Sequence, residues 1–283
     1  MNKQLLLAAT GLTLVAALFF FGRTTAEKKP AAPKAMPAAQ VPSFNIDGFI
    51  AQAKQQLTAG QIVTLDKLEN SVKRGDVLHQ QIEASKQLAD FWKDSAHAFE
   101  PYIYYLSKAA KLENSEKNLT FAAQLILDDL RGEQDEAKLN WKATEAIGLF
   151  EQAIKLNPDN DDLKIGLGSC YIYGKGRGGN PQETMTGIQQ LLAVVRKDST
   201  NMKAQLVLGV GGFVSGQYDK AIDRLTKVIK AEPKNVEAVA FLADSYAAKG
   251  DKASAIKWYQ ALKGLTNNPE HSKEIDQRIK MLQ

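Results

Sequence analysis

The segment GQYDKAI at residues 216–222 returns as GDKASAI at residues 250–256, one full 34-residue period later. Other positions keep the same register. Small residues stand at Gly209, Ala221, Ala243 and Ala255, where two helices must approach closely. Large ones stand at Leu208, Tyr246 and Tyr259, where gaps between helix pairs must be filled. Pro233 and Pro269 close the two copies, because proline ends a helix and forbids its continuation. A chain with this period builds helix pairs that each bury one face on the next pair.

These residues carry a family resemblance. ATEAIGLFEQAIKLNPDN, residues 143–160, resembles the second helix of a tetratricopeptide repeat, with Ala146, Phe150, Ala153 and Pro158 in the expected places. The copy at 202–235 adds Leu208-Gly209, Ala221, Leu225 and Pro233. The copy at 236–269 adds Leu242, Ala243, Tyr246, Ala255, Tyr259 and Pro269. The resemblance spans residues 112–283, with EHSKEIDQRIKMLQ at the end as a polar capping helix. It implies an all-α fold, a right-handed superhelix of antiparallel helix pairs. Residues 43–111 are also helical by periodicity but match the repeat loosely, so they are read as a divergent N-terminal helical region.

GKGRGGNP, residues 174–181, contains the G-x-G-x-x-G spacing of dinucleotide-binding loops. That loop must leave a strand and open a helix within a βαβ unit, and here a helix precedes it. The repeat from Asp161 has Leu167-Gly168 and Tyr171 in register, but its span to Asn201 exceeds the repeat length. The glycine run is therefore expected to be an insertion in the turn between two helices. As a surface loop it should tolerate shortening.

The amino end is different in kind. Residues 5–22, LLLAATGLTLVAALFFFG, carry no charge and are just long enough to cross a bilayer as a helix. Residues 1–22 are expected to be a retained single-pass anchor, with a cleaved signal segment as the alternative. Residues 23–42 form an Ala/Pro-rich linker. Arg23, Lys28, Lys29 and Lys34 on the far side argue for a cytoplasmic domain, whereas both anchor readings export it. The expected location is a bacterial inner membrane with the soluble part in the periplasm.

Little points to chemistry. His79, His97 and His271 are scattered without metal-ligand spacing, and Cys170 has no base beside it, so no catalytic residue, metal or cofactor is expected. Of Tyr102, Tyr104 and Tyr105, two are expected in the core rather than in an aromatic site. The net charge of +4 is spread over the chain, unlike a nucleic-acid footprint. What remains is protein binding. In the repeat family the first helices line a concave groove, which implies a groove made by Ile165, Ser169, Ile172, Tyr173, Lys203, Leu206, Val210, Phe213, Val214 and Asp244. The middle of that groove is apolar and suits a helical or extended apolar segment. The expected function is a membrane-tethered scaffold or adaptor for a protein partner, in the manner of bacterial envelope repeat proteins. The alternative is a self-associating structural scaffold, a homo-oligomer whose groove its own helices fill and whose repeat edges mediate assembly.

Overall fold

The computed structural model describes residues 43–74, 77–177 and 180–283. The anchor and linker expected within residues 1–42 lie outside them. Among the described residues are thirteen α-helices and no strand. The divergent region contributes α1 (Ile46–Lys54), α2 (Ala59–Arg74), α3 (Leu78–Asp90) and α4 (Phe99–Glu113). Next come α5 (Glu116–Leu130), α6 (Glu136–Leu156), α7 (Asp161–Ser169) and α8 (Pro181–Lys197). The last five are α9 (Met202–Val214), α10 (Tyr218–Ala231), α11 (Val236–Lys249), α12 (Lys252–Leu265) and α13 (Pro269–Leu282). Short connections make consecutive helices antiparallel neighbours.

The chain marks these helices itself. Asn160, Asn180, Asn201, Asn235 and Asn268 open α7, α8, α9, α11 and α13, each accepting a backbone N–H from the first turn. Gly250 ends α11 at φ +89°, a left-handed conformation that a residue with a Cβ resists. α9 is apolar over most of its surface, as a helix largely enclosed by neighbours must be. It is enclosed because Gly209 lets Leu225 close in: a Cβ there would lie 2.7 Å from the leucine side chain.

One continuous core runs from Ile103 in α4 to Val210 in α9. Smaller cores lie under α1–α3 and across α10–α13. The expected boundary at residue 112 falls inside α4, and the chain from residue 41 onward forms one compact unit. The divergent helices are therefore part of the stack rather than a separate body. A buried cation ties them in. Lys142, 2% exposed, donates to Asp129 and Glu133 at 2.6 Å each and lies 3.5 Å from Glu100 of α4.

Two helices leave α geometry at their ends. α3 runs into a π-helical turn at Phe91–Ser95, and α7 into another at Cys170–Lys175. A π turn takes an extra residue into the helix and rotates everything after it. The second one carries Ile172 and Tyr173 of the expected groove.

Candidate binding surface on the inner face

The implied groove strip does not survive intact. Ile172 is fully buried, Val210 is 1% exposed and Tyr173 5% exposed. Ile172 and Tyr173 lie in the π turn, whereas Val210 is buried within α9. Ile172 instead fills notches left by two glycines. A Cβ on Gly187 or Gly211 would sit 3.0 and 2.8 Å from Ile172 side-chain atoms. Ile165 and Ser169 are buried as well, the serine hydroxyl donating to the Ile165 carbonyl oxygen at 2.8 Å.

Tyr173 is closed over by the chain. Its hydroxyl donates to Glu237 Oε1 at 2.7 Å, and the Arg131 guanidinium lies 4.7 Å from its ring centroid. Arg131 in turn pairs with Glu237 at 2.9 Å, joining the end of α5 to the start of α11. Burial, reinforced by the Glu237 charge, pushes the Tyr173 phenol well above its ordinary range. It is a permanent donor.

The remaining candidates stay nearer solvent. Leu206, Phe213 and Val214 are half-buried, and the Phe213 ring meets Phe241 at 5.5 Å and Tyr218 at 6.1 Å. Lys203 stands exposed, 3.4 Å from Asp162. Asp244 accepts from Arg278 at 2.7 Å and from the Tyr259 hydroxyl. Beside it a cleft of about 260 Å³ opens between α11, α12 and α13, lined by Val236, Ala240, Leu262, Glu274 and Ile275. This cleft includes α13, which sequence reasoning treated only as a cap. The signal was present: one period after Glu237, Ala240 and Asp244 stand His271, Glu274 and Arg278.

The glycine loop is tied down on the neighbouring pair. Lys175 donates to the Asn140 carbonyl oxygen at 3.2 Å, and Arg177 donates to the Leu130 carbonyl oxygen at 3.1 Å, capping α5. A Cβ on Gly174 would fall 2.4 Å from Ala143 Cβ. Both loop cations are engaged by the chain's own oxygens. The described residues 174–177 are thus packed against α5 and α6 rather than lying free on the surface. Cys170 is fully buried, and burial pushes its thiol far up, so it sits in the core as expected.

Comparison with known proteins agrees with this helix pairing. Residues 213–270 match the tetratricopeptide repeat family. Over those residues the chain carries tetratricopeptide repeat sequence. Human tetratricopeptide repeat protein 6 is 28% identical over 131 residues, 44% of this chain and 24% of its own length. The bovine BBSome complex member BBS4 is 26% identical over 173 residues, 58% of this chain and 32% of its own. The chain thus spans a quarter to a third of these curated relatives. Among solved structures, MamA 41-end from Desulfovibrio magneticus RS-1 superposes with a TM-score of 0.47 at 16% identity, covering 67% of this chain and 97% of that one. YrrB, a TPR protein with an unusual peptide-binding site, gives 0.46 at 15% identity, covering 74% and 97%. The family resemblance implies an inner face lined by the first helices of the pairs, α7, α9 and α11. The cleft beside Asp244 lies at the C-terminal end of these helices.

Proposed function

We propose that this chain is a membrane-tethered scaffold that holds an apolar segment of a partner protein at the C-terminal end of its inner face. Tetratricopeptide repeats are protein-interaction modules, and the apolar run at residues 5–22 supplies the tether. The observation that carries the reading is the cleft between α11 and α13, where Val236 is 47% exposed beside Ala240 and Ile275. Its mixed rim of Asp244, Glu274 and Arg278 supplies the polar groups that orient a bound segment. By likeness to bacterial envelope repeat proteins, the domain stands on the periplasmic face of the inner membrane.

A photo-crosslinker at Ala240 in living cells tests this, with Lys227 on the outer helix α10 as control. Partner adducts should form from Ala240 alone. Equal adducts from both positions would remove the cleft as the site. A phosphatase fused after residue 45 should be active if the domain is exported, and inactive if it faces the cytoplasm.

The second reading, a self-associating scaffold, has its own support. Ile172, Tyr173 and Val210 are buried by the chain itself, so the middle of the inner face is already filled. Under that reading the Ala240 adducts would join copies of this chain only.

A further inference from the structure

A second cleft, of about 320 Å³, lies at the opposite end of the stack, among α1, α2, α3 and α4. That volume is at the lower end of the roughly 300–1,000 Å³ usual for small-molecule sites. Its floor is apolar: Ile50 is 6% exposed and Leu88 1%. One wall is α4, which presents Tyr104, Tyr105 and Lys108. The two rings meet edge to face at 5.0 Å. Tyr102, Tyr104 and Tyr105 all pack half-buried against the N-terminal core, and Tyr104 and Tyr105 also line this cleft.

Two carboxylates, Asp47 and Glu69, and two ammonium groups, Lys54 and Lys108, line the cleft. Lys54 and Glu69 pair with each other at 2.6 Å, which leaves that side neutral. Asp47 sits in the first turn of α1, where the helix dipole already balances a carboxylate. Lys108 makes no ion pair or hydrogen bond among the described residues, and neither do the hydroxyls of Tyr104 and Tyr105. Three unengaged donors therefore share one wall above an apolar floor. An unpaired, half-buried ammonium costs desolvation that an anion would repay. Burial also holds the Tyr105 phenol protonated, so it remains a donor.

We propose that this cleft binds a small amphipathic organic anion, an apolar body bearing one carboxylate. Lys108 and the Tyr104 and Tyr105 hydroxyls take the carboxylate, and Ile50 and Leu88 hold the body. The site is separate from the inner-face cleft and does not depend on any role assigned there.

Calorimetric titration of the full chain in lipid nanodiscs tests the proposal, with empty nanodiscs as blank. The probes are hydrocinnamate, phenylpropylammonium and phenylpropanol, which share one apolar body and differ in charge. Hydrocinnamate should bind saturably at one site, the alcohol about tenfold more weakly or worse, and the ammonium not at all. Lys108→Met should weaken hydrocinnamate binding about tenfold with an unchanged melting temperature. If Lys108→Met does not fold, Tyr105→Phe provides the same reading on a conservatively altered wall. Hydrocinnamate binding that is absent, that ignores both substitutions, or that the ammonium matches would overturn the proposal.

Discussion

Tyr173 and Glu237, 64 residues apart, share a 2.7 Å hydrogen bond that closes the middle of the inner face. The bond ties the end of the π turn after α7 to the first turn of α11, two repeats on. Arg131 completes the clasp from α5. The stack is therefore held by a long-range polar contact as well as by nearest-neighbour packing.

Removing the phenol should weaken that clasp modestly. Tyr173→Phe leaves Glu237 with Arg131 as partner, so the expected loss is about 1 kcal/mol, the net worth of one hydrogen bond. Glu237→Ala strands the buried Tyr173 hydroxyl and removes the Arg131 pair, and should cost more. Urea unfolding of the two variants against wild type measures both.

Lys142 should be far less tolerant. Replacing it by Met leaves Asp129, Glu133 and Glu100 facing one another around a buried apolar side chain. Breaking such a buried network from one side costs about 3–5 kcal/mol. The helices on both sides of residue 112 should loosen together in hydrogen exchange, because the network joins α4 to α5 and α6.

The same network predicts an acid limb. Burial alone would raise the Glu100 and Glu133 carboxyls, but hydrogen bonds from Lys138 and Lys142, respectively, with the Lys142 charge added, hold both below their ordinary value of 4.5. The folded state thus binds these protons less readily than the unfolded chain. The stabilisation is complete above that value and is lost as pH falls through it and below. Burial likewise lowers Lys142, but hydrogen bonds to Asp129 and Glu133 raise it net above 10.5, so its share is lost only in strong alkali. Melting temperatures from pH 7 down to pH 3 should fall for wild type. The fall should be shallower for Glu133→Gln.

In the glycine insertion, Gly174→Val should destabilise the fold by colliding with Ala143. Gly132→Val, at a turn where a Cβ meets only ordinary contact, should be near neutral. If thermal melts rank the two equally, the loop is not packed as described.

Phe213 and Leu208 should separate by burial. Leu208 is 4% exposed, so Leu208→Ala is expected to cost about 2–5 kcal/mol. Phe213 is half-buried between Tyr218 and Phe241, so Phe213→Ala should cost clearly less, though more than a free surface residue. Denaturant midpoints of the two variants decide the order.

The repeat class was legible because its determinants are local. Helix periodicity, asparagine caps, terminal prolines and the 34-residue return of GQYDKAI as GDKASAI act within one or two turns of chain, and the helices appear where they direct. Pro181, read with the glycine run as part of a turn, instead opens α8, with Asn180 as its cap. The groove was not legible in the same way. Whether Ile172 faces solvent depends on a single π turn and on notches at Gly187 and Gly211, which lie on other helices. Likewise Lys142 reads as one more surface lysine until α4, α5 and the connection after α5 bring three carboxylates around it. Periodicity states which face of a helix is apolar. Only the packing of distant helices decides which of those faces is covered.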